Sequence, residues 1–151
     1  MRAALLTAFI LTATAAAQTP APPHLKVFEG QYKPESIQYD GKEMADPKTK
    51  AALTLVVKDG EYRAYFASDP TKDSHVRLFT ATLAADTGAK TFELTVTDGP
   101  KKGEKRHGIY KLDGGKLTIC YGPAEKPRPT EFRTTPNSGH FCETWAAEAK
   151  K

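Results

Sequence analysis

Four Asp-Gly dipeptides punctuate this chain, at Asp40-Gly41, Asp59-Gly60, Asp98-Gly99 and Asp113-Gly114. The pair tolerates the positive φ angles of a type I′ turn, whose twist matches that of two antiparallel strands, so each marks a hairpin. Most lie between runs rich in β-branched and aromatic residues. Residues 53–57 (LTLVV) precede the second and 62–66 (YRAYF) follow it; 107–112 (HGIYKL) precede the fourth and 117–121 (LTICY) follow it. Residues 92–96 (FELTV) alternate apolar and polar, as a half-buried strand does. Further strands are expected at 30–39, 76–83, 130–134 and 140–145. Only 42–52 offers a helical turn, and Pro47 limits it. Successive hairpins in one domain point to an all-β fold, a small antiparallel up-and-down barrel of about eight to nine strands, because closure removes exposed sheet edges. A two-sheet β-sandwich is the alternative.

The chain begins with an address. Met1-Arg2 is a short positive segment, residues 3–17 (AALLTAFILTATAAA) carry no charge, and Ala15-Ala16-Ala17 ends the run as an A-x-A cleavage pattern. The run falls short of the roughly 20 residues that span a bilayer as a helix. Residues 1–17 are therefore expected to be a signal peptide cut after Ala17, giving a secreted or periplasmic protein with no membrane span in the mature chain. No Cys follows the small residues, so lipidation on the lipobox pattern is not expected. Residues 18–24 (QTPAPPH) read as a Pro-rich extended tether. The barrel domain is expected over 25–146, with a flexible tail over 147–151. Hydrophobic residues at 39% and charged residues at 26% exclude collagen, a coiled coil and a wholly disordered chain. Cleavage removes one Arg and no acid, so the net charge falls from +4 to +3. No nucleic-acid-binding pattern accompanies that charge. A monomer is expected.

Two stretches resemble a known family. Phe28-Glu-Gly30-Gln-Tyr32 runs into an alternating strand ending at Tyr39-Asp-Gly41. Later come Asp98-Gly-Pro-Lys-Lys-Gly103, Gly108-Ile-Tyr110, Leu117-Thr-Ile-Cys120 and Arg128-Pro-Thr-Glu-Phe132. This order resembles the small secreted, lipocalin-like domain of unknown function abundant in planctomycete bacteria, over about residues 28–141. The resemblance implies an up-and-down β-barrel in an extracytoplasmic setting, and no reaction, ligand or catalytic residue. Tyr32 stands where that family has Trp, and Trp145 where it closes on a basic residue, a departure from an aromatic-on-arginine plug at the barrel floor.

The residues that carry chemistry form no catalytic pattern. His24, His75, His107 and His140 show neither HxH nor HExxH spacing, and Ser36, Ser68, Ser74 and Ser138 lie in no nucleophile elbow. No catalytic residue, metal ligand or cofactor site is read here, and the chain is not expected to be an enzyme. Cys120 and Cys142 suit a disulfide in an oxidising compartment. A strand at 130–134 lying between theirs would hold them about 9.5 Å apart, beyond the reach of a bridge; a bridge and two buried thiols both stay open. Lys101, Lys102, Lys105 and Arg106 form either an anion-binding rim or, preferred, a solvated loop. Arg128, held extended between Pro127 and Pro129, offers a planar donor to a carboxylate ligand, or pairs with Glu131 or another acid to pin its loop. Tyr32, Tyr110 and Tyr121 have apolar bodies and polar tips that suit a cavity lining. With Arg128 they are the candidate ligand-binding residues. The expected function is an extracytoplasmic binding module holding a small apolar or amphipathic molecule in a barrel. The alternative is an envelope-protein partner or protease-inhibitor-like module, using 42–52, 98–106 or the tether.

Overall fold

Turn chemistry sets the strand boundaries. The computed structural model describes residues 23–67, 75–86 and 90–148; the expected signal peptide, residues 18–22 of the tether and 149–151 of the tail lie outside the described residues. Asp40 and Gly41, at φ 50° and 80°, turn β1 (Gly30–Tyr39) into the short β2 (Lys42–Glu43). Asp59 and Gly60, at φ 52° and 78°, join β3 (Leu53–Lys58) to β4 (Glu61–Ala67). β5 (His75–Asp86) and β6 (Thr91–Val96) follow. The fourth turn differs from expectation by one residue. Asp113 stays in β7 (Lys105–Asp113), paired with Lys116 of β8 (Lys116–Pro123), and Gly114-Gly115 makes the bend at φ 55° and 80°. Two consecutive left-handed positions cost two glycines less than an Asp and a Gly. Asp98-Gly99 opens a longer β6–β7 loop, in which the Gly99 N–H donates to Asp98 Oδ1 at 2.8 Å.

Every neighbouring pair is antiparallel, in the order β2-β1-β3-β4-β5-β6-β7-β8-β9, and β9 (Phe141–Ala147) returns to β1. β1 thus pairs with both β3 and β9, and eight strands close a barrel with β2 as an appendage. A sandwich would leave that seam open. The seam runs from Tyr32↔Ala147 to Tyr39↔Phe141 and contains one bulge between Pro34 and Ser36. Proline has no N–H to give a ladder and is tolerated at a bulge. The extra residue, Glu35, also resets the alternation, so Pro34 lies opposite Trp145 and Ile37 opposite Glu143 on the same face. Glu35 itself pairs with Lys116 at 2.8 Å.

The interior is built by alternation. Leu53, Leu55 and Val57 of β3, Tyr62 of β4, Phe92 and Leu94 of β6, and Leu117, Ile119 and Tyr121 of β8 form one buried cluster with Trp145. Phe28, at the end of a 3₁₀ turn over Pro23–Phe28, joins it. That turn begins inside the expected tether. Gly108 of β7 is required by space: a Cβ there would come within 2.3 Å of the Cys120 carbonyl and 2.7 Å of the Phe92 ring.

Two further expectations change. Pro47 starts a helix instead of limiting one: α1 (Pro47–Ala52) has Pro in its first turn, where no N–H is missed, and Asp46 caps it by accepting from the Thr49 N–H at 2.7 Å. Residues 130–134 form no strand; 124–140 is an irregular connection, so β8 pairs directly with β9. Cys120 therefore faces Cys142 with 4.0 Å between Cα atoms, and the two are bridged. Without an intervening strand, the separation that argued against a bridge vanishes. Replacing both, Cys120→Ala with Cys142→Ala, should lower stability by about 3 kcal/mol, the loop-closure value for a ring of this size. The measurement is the urea unfolding midpoint against the oxidised parent, and an unchanged midpoint would refute the estimate.

Candidate functional site

Among the described residues, one acid lies inside the barrel. Glu143 is in phase with Phe141 and Trp145 on β9, so alternation sends it to the interior, where it is 5% exposed. Three donors converge on it. Tyr62 Oη donates to Oε2 at 2.5 Å, Trp145 Nε1 to Oε2 at 2.9 Å, and Tyr121 Oη to Oε1 at 2.7 Å. Tyr62 belongs to β4, separated from β9 in the wall by β1 and β3. The Tyr62–Glu143 bond therefore crosses the lumen. The chain's single Trp stands at the centre of this group.

Aromatic faces surround it. Tyr121 stacks on Phe141 with centroids 5.5 Å apart, Tyr39 packs on the same Phe141 at 4.5 Å, and Phe92 meets Tyr121 edge-on at 6.3 Å. The Arg106 guanidinium lies 5.6 Å from the Tyr121 centroid and 5.8 Å from that of Phe141. Glu104 holds it at 2.8 Å. Arg106 is thus not part of a solvated loop. Together with Lys105 it opens β7, and the same alternation that buries Gly108 turns its side chain toward the rings. Lys101 and Lys102 do stay exposed.

The four candidate ligand residues separate into three places. Tyr121 belongs to the Glu143 group. Tyr32 is buried at the opposite end of the barrel, its hydroxyl donating to the Phe28 carbonyl at 2.9 Å, and Tyr110 packs edge-on against Phe28 at 4.4 Å. Arg128 reaches neither group. Its Nη1 donates to the carbonyls of Phe92 at 3.0 Å and Gly108 at 2.8 Å, and its Nη2 lies 3.9 Å from Glu93. The partner expected for it, Glu131, is taken by Arg133. Arg128 pins the 124–140 connection to β6 and β7. His107 and His140 bond the carbonyls of Lys126 and Pro127 in that same connection, at 2.7 and 3.0 Å. A surface groove of about 350 Å³ opens there, lined by Pro127, Arg128, Pro129, Glu131, Arg133 and His140 among others. The expected contact loops also turn their charges inward on themselves: Glu43 pairs with Lys50 at 2.8 Å, and Lys101 approaches Glu104 at 3.6 Å.

Glu143 was not among the sequence candidates. Its signal was the phase of residues 141–145 (FCETW), which puts an acid between two large aromatics on one strand face. No charged residue belongs there unless paired or hydrogen-bonded.

No protein-family model matches the chain, and no curated protein matches it. Among solved structures, a mutant of the fluorescent protein UnaG is similar at 11% identity and a TM-score of 0.42, over 83% of this chain and 99% of that one.

Burial, and next the neighbouring Glu143 carboxyl, push the Tyr62 and Tyr121 hydroxyls well above the ordinary tyrosine value. A pKa raised by folding supports the folded state below the unfolded value, about 10 for tyrosine, and withdraws that support as pH climbs past it. In a titration followed by phenolate absorbance, two of the six tyrosines should ionise only together with loss of the β circular-dichroism signal. Smooth ionisation of all six in a still-folded chain would contradict the burial of this pair.

Proposed function

We propose that this chain is an extracytoplasmic binding module whose barrel holds a small apolar or amphipathic molecule. The observation that carries this reading is the Glu143 group: one acid with convergent Tyr62, Tyr121 and Trp145 donors, set among aromatic and aliphatic walls. Small-molecule sites have this composition, mostly apolar with a few polar atoms that fix orientation. An eight-stranded barrel is of the size that either fills with side chains or takes one small ligand. A buried acid favours the second use, because a filled core is as stable with an apolar residue of similar volume.

Export is part of the same reading. It rests on residues 1–17 and the Ala15-Ala16-Ala17 cleavage pattern. The Cys120–Cys142 bridge supports it, since such bonds persist in oxidising compartments.

Native mass spectrometry of the chain isolated from its own compartment should reveal a small-molecule mass, one per chain, that leaves on denaturation. Dodecanol should then change the Trp145 emission saturably once the native occupant is removed. A bare chain mass combined with a flat dodecanol titration would overturn the proposal.

A further inference from the structure

We propose that the surface groove along the 124–140 connection is a second binding site, one that takes a small organic carboxylate on Arg128. It is independent of any molecule held by the barrel, and neither site needs the other.

The first ground is the state of the guanidinium. Arginine carries five N–H donors in a fixed planar fork. Arg128 Nη1 donates to the carbonyls of Phe92 at 3.0 Å and Gly108 at 2.8 Å, which belong to the adjacent strands β6 and β7. Those two bonds, with Pro127 and Pro129 stiffening the backbone on either side, orient the fork before any ligand arrives. Nε and Nη2 make no hydrogen bond to a described residue, and neither is sealed from solvent. They form one side of the fork, an edge that takes two carboxylate oxygens in parallel. Carbonyl groups bear no net charge, so the pinning leaves the cation uncancelled.

The second ground is room and charge. The groove holds about 350 Å³ and is lined by Arg128 together with Pro127, Pro129, Thr130 and Thr135. That volume lies within the range of small-molecule sites. The proline rings offer apolar contact and the threonines offer hydroxyls, which suits a charged head on a short apolar body. Arg133 and Glu131 pair with each other. Lys126 reaches the groove by donating to the Ser138 carbonyl at 3.3 Å. Glu93 approaches Arg128 Nη2 only to 3.9 Å, beyond a hydrogen bond, and its side chain is 67% exposed, where solvent screens it. Arg128 and Lys126 against Glu93 leave one positive charge over. Glu93 and Glu131 would repel a second negative charge on the ligand, which favours a monoanionic carboxylate over a phosphate dianion.

Calorimetric titration of the chain as purified from its producing cell tests this with benzoate, hippurate, hippuramide and inorganic phosphate. Hippurate should bind at least about tenfold tighter than its uncharged amide, the difference expected for a hydrogen-bonded charge. Phosphate should be weaker than either carboxylate. Hippurate tighter than benzoate would assign the site to peptide C-termini, and equal affinities to free small acids; both outcomes keep the carboxylate. Arg128→Lys, which keeps the charge and loses the fork, should weaken hippurate about tenfold. Because Arg128 also ties down its connection, Thr130→Glu is the second variant. It sets an acid at an exposed groove position without touching the Arg128 bonds. It should abolish hippurate binding with the β circular-dichroism signal unchanged. Equal affinities for hippurate and hippuramide, tightest binding of phosphate, or hippurate binding that survives Thr130→Glu would each overturn the assignment. So would the absence of saturation by either carboxylate at millimolar concentration, and none of these results bears on the barrel.

Discussion

The seam between β1 and β9 is the constraint from which the remaining geometry follows. Until those strands pair, residues 30–148 form a meander with two open edges, and no side chain on β4 can meet one on β9. Once the seam closes, Tyr62 stands across the lumen from Glu143 and the acid acquires its partner. The bulge at Glu35 is what makes the seam compatible with the core. Without the extra residue, β1 would present Pro34 and Ser36 to the interior in strict alternation; with it, Pro34 meets Trp145 and Ile37 meets Glu143. Cys120 and Cys142 fasten the adjoining β8–β9 pair from the opposite face of the strands that carry Tyr121 and Glu143.

A carboxyl group inside such a wall is a costly choice. Moving an ionised group out of water costs several kcal/mol even after relaxation, and three neutral hydrogen bonds recover only part of it. Removing the acid alone would strand three buried donors, so the group stands or falls as a set. Nothing in barrel closure demands that set. Leu117 and Ile119 on the neighbouring strand show how the same wall is filled when packing is the only requirement. The polar cluster is therefore better understood as something the barrel contains than as something that builds it.

How much of this was legible beforehand follows from range. Local signals were read well: Asp40-Gly41 and Asp59-Gly60 are bends at the expected residues because their φ preference is a property of the dipeptide itself. The Gly114-Gly115 turn was missed by one position because two overlapping dipeptides competed, and register across β7–β8 decided between them. Proline at 47 reads as a breaker in isolation, but at the first turn of a helix it interrupts no bond. The 130–134 segment carries strand-like residues, but Arg128, His107 and His140 tie the connection around it to neighbouring carbonyls and leave it no partner strand among those described. A strand there would also have held Cys120 and Cys142 too far apart to bridge; its absence lets them meet. The site was least legible of all, since Tyr62 and Glu143 are 81 positions apart and meet only after closure.

The two ends of the barrel differ chemically. At the Tyr32 end, Phe28 is packed into the core, its carbonyl receives the Tyr32 hydroxyl, and its ring abuts Tyr110. That end is closed by apolar contact and a satisfied hydrogen bond. At the Phe141 end, Arg106 and Glu104 sit over the rings, and the 124–140 connection crosses nearby, tied through Asp40 to the Gly139 N–H at 2.5 Å and through Thr134 to the Gly41 N–H at 2.7 Å. Glu143 lies two residues in from Phe141, between a charged rim and an apolar floor. Inward of that rim the wall turns apolar, with Leu55, Leu117 and Trp145 all fully buried.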